Sequence, residues 1–472
     1  MEGLLYEQIA GDLARSISRG SLRPGERLPS VRTLSIERGV SVATVVTAYS
    51  HLERTGLVES RPKSGHFVRR RGPSVPEPRA ARRTSTAVRV MSVSDAVAAL
   101  QASMRDPSVV PLGSAYLTPD LLPMDALNRL TSSIAREVRL AGANYDPPPG
   151  LLSLRRQLAR RSVDWGLSLD EDDFVITIGG TEALSLALGS VTKPGDAVAV
   201  ESPTYFGILQ LLEHLGLRAV EVPAHPRTGL DIDALADALR AGPIRAVVVV
   251  TTGSNPLGAV MPDESRERLV RLLARHDVPL VEDDVYGDLV FDGTRPRPAR
   301  AFDRDGRVLL CGSVSKTLAP GLRVGWVVPG RYEQQVRRRQ YALTLACPAL
   351  PQMTVAEYLA SGAYDRHLRR LRAGVASQVA RIRDEVAAVF PEGTRVTDPR
   401  AGFVVWVEMP PGTSALEVAE KALAKGIALA PGPMFSARGR FTHALRLSCG
   451  LPWSAKLEKA LHTVAEIVRR AR

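Results

Sequence analysis

Lys316 sits among small and hydroxylated residues, in the run Cys311-Gly-Ser-Val-Ser-Lys-Thr-Leu-Ala-Pro-Gly-Leu-Arg-Val-Gly-Trp326. The apolar runs on either side, 308–310 and 324–328, have the composition of buried strands. Small neighbours leave room for a ligand beside such a lysine. Its amine can form a Schiff base when burial or nearby positive charge lowers its pKa. The serine hydroxyls and Arg323 can hold a phosphate. The plain alternative is a strand-end loop with a snorkelling lysine, and the rest of the chain weighs against it.

Four other stretches carry polar residues of the same kind. Gly179-Gly-Thr-Glu is a glycine turn opening a helix, where amide N–H groups and the helix dipole favour a phosphate. Asn255, in Ser254-Asn-Pro-Leu-Gly, is a hydrogen-bond donor on a rigid turn. Glu282-Asp-Asp-Val-Tyr286 places carboxylates and a phenol together, and Arg446 is a lone arginine in an apolar run. A buried arginine needs an anionic partner, from the protein or from a ligand.

The elements that must position these residues alternate. Apolar runs at 174–177, 197–200, 246–250, 279–282, 308–310 and 324–328 predict strands covered on both faces. Amphipathic stretches such as 181–191 and 263–276 predict the helices between them. The expected fold is α/β with a mostly parallel sheet, whose ligands bind beyond the strands' carboxyl ends. The polar stretches above fall at those ends.

This set, in this order, resembles the fold-type I aminotransferases that use pyridoxal 5'-phosphate, over nearly all of residues 110–470. The resemblance implies that Lys316 carries the cofactor and shuttles a proton, while Asp283 pairs with the ring nitrogen. Asp284 is the rival for that role. Asn255 and Tyr286 would bond the ring's phenolic oxygen. Gly180, Thr181, Ser313 and Arg323 would hold the phosphate, and Tyr205 would stack on the ring. Arg446 would bind the carboxylate of a substrate or effector. Tyr145 resembles a tyrosine that reaches the partner subunit's phosphate, which implies a homodimer. The pocket walls that select a side chain, such as the regions 115–116 and 342–346, are not placed by this resemblance.

The first 90 residues carry sixteen Lys/Arg and eight Asp/Glu, +8 of the chain's net +12, which suggests an anionic partner. Leu5, Ile9, Leu13 and Ile17 recur at helical spacing. A turn rich in proline and glycine follows. Ser30 can cap a helix over 31–38, and Ser41 another over 42–55. The stretches 57–60 and 66–69, joined by Arg61-Pro-Lys-Ser-Gly65, predict a two-stranded wing. Helix, turn, helix and wing make a winged helix-turn-helix whose third helix would enter the major groove. Pro24-Gly-Glu-Arg-Leu-Pro-Ser-Val-Arg-Thr-Leu, Val40-Ser-Val-Ala-Thr-Val and Arg61-Pro-Lys-Ser-Gly-His-Phe-Val resemble the GntR family's DNA-binding domain. That resemblance makes Arg32, Ser41, Thr44 and Gly65 DNA-contacting positions. Arg61 and Lys63 are candidates for further phosphate or minor-groove contacts. Val42 stands where many members of that family have arginine.

These readings divide the chain into a DNA-binding domain at 2–70, a basic, proline-containing flexible linker at 71–105, and an aminotransferase-like domain at 106–472. The three widely spaced cysteines form no disulfide framework or metal motif, which fits a reducing cytoplasm. The N-terminus has no signal-peptide pattern, and no apolar run reaches membrane-spanning length. The combination resembles the MocR subfamily of transcription regulators. It implies a cytoplasmic dimer that binds duplex DNA and pyridoxal 5'-phosphate and senses an amino compound or the cofactor. The alternative is an active aminotransferase with an appended DNA-binding domain, and a cofactor-sensing scaffold without chemistry is a third reading.

Overall fold

The computed structural model describes residues 5–19, 21–54, 57–61, 64–69, 75–79, 106, 108–138, 144–291 and 295–471. The N-terminal unit is three helices and a wing: α1 (Leu5–Ser18), α2 (Val31–Arg38), α3 (Val42–Arg54), β1 (Val58–Arg61) and β2 (Gly65–Val68). Ser30 caps α2, accepting from the Thr33 N–H at 3.1 Å, and Gly39 ends it in the left-handed region at φ 62°. Ser41 caps α3 in the same way, accepting from the Thr44 N–H at 3.1 Å. The core is Ile9, Leu13, Leu34, Val45, Ala48, Tyr49 and Leu52 with Val58 and Val68 from the wing. β1 and β2 pair antiparallel, Val58 opposite Val68 and Arg61 opposite Gly65.

The large unit is built on an eight-stranded sheet. Its strands are β3 (Val175–Thr177), β4 (Ala197–Ser202), β5 (Arg218–His225), β6 (Gly229–Leu230), β7 (Ala246–Val249), β8 (Leu280–Asp283), β9 (Val308–Ser313) and β10 (Gly325–Val328). The order across the sheet is β3-β10-β9-β8-β7-β4-β5-β6. β9, β8, β7, β4 and β5 run parallel, while β10 is antiparallel to both β3 and β9. The uninterrupted apolar runs follow from burial on both faces. Along β7, Ala246 and Val248 face the helix Gly179–Val191, with Leu184 and Leu188 in that core. Val247 and Val249 face the helices Ile232–Ala241 and Asp263–Arg275, with Leu235 and Leu269. A second, antiparallel sheet has the order β11 (Arg395–Val396), β12 (Val404–Glu408), β14 (Ala444–Ser448), β13 (Ala430–Pro431). Arg446 lies in the middle of β14, opposite Trp406 on one side and Ala430 on the other.

Within the stretch read as a flexible linker, residues 75–79 lie against the large unit. The Val396 N–H donates to the Pro76 carbonyl at 3.2 Å, and Arg227 pairs with Glu77 at 2.7 Å. Nothing in their composition signals this, because the contacts are to residues distant in the chain. The rest of 71–105 lies outside the described residues. Among the described residues no helix is long and apolar enough to cross a membrane.

Candidate cofactor and amino-acid site

Strand ends and helix starts meet in a cavity of about 290 Å³. Gly180, Thr181, Tyr205, Asn255, Asp283, Tyr286, Ser313, Lys316, Arg323 and Arg446 all line it. These ten come from stretches up to 266 positions apart, as the span from Gly180 to Arg446 shows. Those on the large sheet converge because the crossovers return the carboxyl ends of the parallel strands to one edge, and Arg446 reaches the same cavity from β14 of the second sheet.

Lys316 follows β9 through a tight turn in which Ser313 accepts from the Ser315 N–H. Its amine donates to the Ala115 carbonyl at 2.5 Å. Burial lowers its pKa to about 8, Arg446 and Arg323 add to that, and Asp283 opposes them. A larger fraction of neutral, nucleophilic amine is therefore present near neutral pH.

The acidic run at the end of β8 splits three ways. Glu282 turns away from the cavity and accepts from Thr251 Oγ1 at 2.6 Å and from the Ala299 and Arg300 N–H groups at 2.7 and 3.1 Å. Asp283 faces the cavity. Asp284 pairs with the buried Arg295 and does not line it. Alternation of side chains along the strand end puts the second acid of the run, not the third, beside Lys316. Burial raises the Asp283 pKa to about 6, against the pull of the Val285 N–H and Lys316.

The turn after β3 supplies the other end of the cavity. Gly179 adopts φ +76°, and a Cβ there would lie 2.6 Å from Arg323 Nη2. The bare backbone lets the guanidinium lie across the turn, where Nη2 donates to the Ile178 carbonyl at 3.0 Å. The helix Gly179–Val191 begins here, and its first N–H groups have no partner within the helix. Ser313 and Ser315 share a hydroxyl contact at 2.8 Å, and Ser313 also donates to the Val324 carbonyl at 2.8 Å. Amides, hydroxyls and a guanidinium at one point suit a phosphate dianion.

Arg446 is fully buried, which lowers its pKa to about 10. It donates to Asn255 Oδ1 at 3.1 Å and to the Gly113 carbonyl. Its Nε has no partner, and neither of the acceptors it has among the described residues, Asn255 and the Gly113 carbonyl, is a carboxylate. Asn255 also hydrogen-bonds Tyr286, whose phenol burial pushes well up. The cavity therefore gathers three cations, Lys316, Arg323 and Arg446, against one carboxylate, Asp283. That imbalance, the phosphate cradle and the unpartnered Nε fit pyridoxal 5'-phosphate with an amino acid's carboxylate beside it.

Tyr145 is not in this cavity; it is 78% exposed. Of the regions left unplaced by sequence, Ala115 and Tyr116 line the cavity, while residues 342–346 are absent from its lining. Gly113, Ser114, Ser315 and Phe206 also line it. Ser315 was legible as a hydroxyl in the lysine stretch. Gly113 could have been suspected only as a glycine before an apolar segment. Its place depends on Leu429 and Ala430, whose backbone a Cβ would meet at 2.5–2.6 Å.

In the N-terminal unit Arg32 and Ser41 are exposed, and Thr44 is half-buried. Ser41 and Thr44 bond each other through their hydroxyls at 2.8 Å, so both also serve the start of α3. Gly65 adopts φ +103°, and a Cβ there would press on Arg27 at 3.2 Å. Lys63 and the side chain of Arg61 lie outside the described residues.

Residues 125–464 match the family Aminotransferase class I and II, and residues 5–68 match Bacterial regulatory proteins, gntR family. The uncharacterized HTH-type transcriptional regulator YjiR of Escherichia coli is 40% identical over 466 residues, 99% of each chain. YdcR of the same organism, under the same description, is 36% identical over 98% of this chain and 99% of that one. Among solved structures, LysN of Thermus thermophilus superposes with a TM-score of 0.72 at 27% identity. That match covers 80% of this chain and 97% of LysN, an alpha-aminoadipate aminotransferase complexed with N-(5'-phosphopyridoxyl)-L-leucine. The chain belongs to the MocR-type regulators, in which a GntR helix-turn-helix is fused to a pyridoxal-phosphate aminotransferase domain of class I and II.

Proposed function

We propose that this protein is a cytoplasmic, homodimeric DNA-binding regulator whose large domain holds pyridoxal 5'-phosphate and senses an amino acid or amine. The observation that carries the reading is Arg446: a buried guanidinium in the cofactor cavity with no carboxylate partner among the described residues and an unpartnered Nε. Such a group is costly to keep, and an amino acid's carboxylate would satisfy it bidentately. The boundaries follow the sequence reading: DNA-binding at 2–70, a linker at 71–105, and cofactor and effector binding at 106–472.

Bound in the cavity, pyridoxal 5'-phosphate supplies an electron sink for the bonds at the amino acid's α-carbon. Lys316 anchors it through its amine and then holds or returns a proton at Nζ. Asp283 keeps a negative charge beside the ring nitrogen. Asn255 and Tyr286 orient the ring's oxygen, and Tyr205 covers a face of the ring. Gly180, Thr181, Ser313 and Arg323 fix the phosphate. Exposed Tyr145 is free to reach the partner subunit. In the N-terminal unit Arg32, Ser41, Thr44 and Gly65 approach duplex DNA, joined by Arg61 and Lys63. An amino compound that binds one arrangement of the large domains better than another moves the DNA-binding units with it.

A second reading, an active aminotransferase, is favoured by the complete gathering of Lys316, Asp283, Tyr286 and Arg446 in one cavity. One experiment separates the two. The full-length protein with cofactor is given a panel of amino acids, with visible absorption and affinity for DNA both followed, beside Lys316→Ala. Changed absorption and DNA affinity without amino-group transfer to a 2-oxo acid supports sensing. Transfer supports the enzyme. No response of either signal to any amino acid would sink both readings, and an unchanged cofactor spectrum in Lys316→Ala would remove the anchor.

A further inference from the structure

The recognition helix α3 is two-sided. Val45, Ala48, Tyr49 and Leu52 are buried in the core, while Val42, Ala43, Val46, Thr47 and Ser50 face outward. Val42 is 50% exposed and Val46 47% exposed. At positions i and i+4 they stand on one face, about 6 Å apart along the axis. Local stability does not favour them, because exposed β-branched residues are poorer helix formers than alanine.

Three hydroxyls on or beside this face, those of Ser41, Thr44 and Thr47, are already engaged within the protein. The Thr47 hydroxyl donates to the Ala43 carbonyl at 2.9 Å, and Thr44 and Ser41 bond each other. His51 packs against the Tyr6 ring at 6.2 Å. Residues 42–51 contain no Arg, Lys, Asn or Gln, the side chains that bind guanine or adenine bidentately. What the helix offers outward is chiefly methyl groups. The one apolar mark in the major groove is the 5-methyl of thymine.

We propose that Val42 and Val46 read thymine 5-methyl groups, which sets the base preference of each DNA-binding unit. This rests on the DNA-binding reading above. The helical spacing places the two thymines within about two base pairs of each other. The excess positive charge of the first 90 residues supplies affinity without sequence preference, which leaves the valines to discriminate.

The test uses the full-length protein with cofactor and a pool of duplexes with a randomised centre. Enriched duplexes are remade with deoxyuridine in place of each thymidine in turn, and Kd is measured at fixed salt. At two positions the lost methyl is expected to raise Kd roughly fourfold each, the worth of one buried methylene. Val42→Ala with Val46→Ala is expected to weaken binding to the thymidine duplex and to lose the response to deoxyuridine. Both substitutions are at exposed sites and improve helix propensity, and far-UV circular dichroism checks that α3 is retained. A wild type indifferent to deoxyuridine at every position, or a double variant that keeps the wild-type response, would overturn the inference. Failure to enrich any duplex would overturn the DNA-binding reading itself and this inference with it.

Discussion

Replacing Asp283 by asparagine should stabilise the cofactor-free protein at neutral pH while weakening its hold on the cofactor. Asp283 is buried, and its Oδ1 accepts from the Val285 N–H at 3.2 Å, a bond that asparagine can keep. Burial raises its pKa from 3.8 to about 6 even with Lys316 nearby, so desolvation outweighs that attraction. A carboxyl with a raised folded pKa binds its proton more tightly in the native state. Its favourable contribution is full below the unfolded value and is lost as pH rises through about 6. The interval from 3.8 to about 6 corresponds to about 3 kcal/mol at pH 7.5 and roughly half of that at pH 5. Those are the expected gains for Asp283→Asn, as upper figures for a substitution that fits without strain. Urea unfolding followed by tryptophan fluorescence measures them, because Trp165, Trp326, Trp406 and Trp453 all lie in the large unit. With cofactor present the sign should reverse, since asparagine brings no charge to the ring nitrogen. An apo variant no more stable than wild type at pH 7.5, or a gain equal at both pH values, would refute the argument that burial costs this carboxylate its charge.

Other outcomes follow from the same site. Gly179→Ala would force a Cβ into Arg323 at a left-handed position, so cofactor Kd should rise roughly tenfold. Gly180→Ala, whose Cβ would meet only Ser313 Cβ at 3.5 Å, should leave it nearly unchanged. Arg446→Met should raise the amino-acid concentration for half response roughly hundredfold, read as the change in visible absorption. The rate at which the apo protein takes up cofactor covalently should climb with pH and level off above about 8, because only the neutral Lys316 amine reacts. A flat profile would take that proton off Lys316. Arg32→Ala should lower the slope of log affinity against log salt by about 0.9, and an unchanged slope would show that Arg32 neutralises no phosphate.

Much of the architecture was legible because it is local. The six apolar runs appear as β3, β4, β7, β8, β9 and β10 with ends shifted by a few residues, since strands buried on both faces must be apolar throughout, whereas β5, with its alternating burial, and the two-residue β6 correspond to none of those runs. Ser30, Gly39 and Ser41 mark the ends of α2 and α3 through caps that reach only a few residues along the chain. Lys316, Asn255, Asp283 and Arg446 could be singled out because each is a polar residue where an apolar pattern breaks.

Packing favours Asp283 over its rival Asp284: Asp283 lines the cavity, whereas Asp284 does not and pairs with Arg295, a contact that no local pattern shows. The same holds for residues 75–79, whose partners Arg227 and Val396 are far away in the chain. Sequence by itself determined which elements form and which residues carry usable chemistry, through periodicity, capping and side-chain type. Tertiary structure alone decided what each of those residues faces. Sheet order brings Arg446 from the second sheet against Asn255, leaves its Nε without a partner, and removes Lys316 and Asp283 from water. Those contacts, and the pKa displacements that follow from burial, are properties of packing between segments that no local pattern encodes.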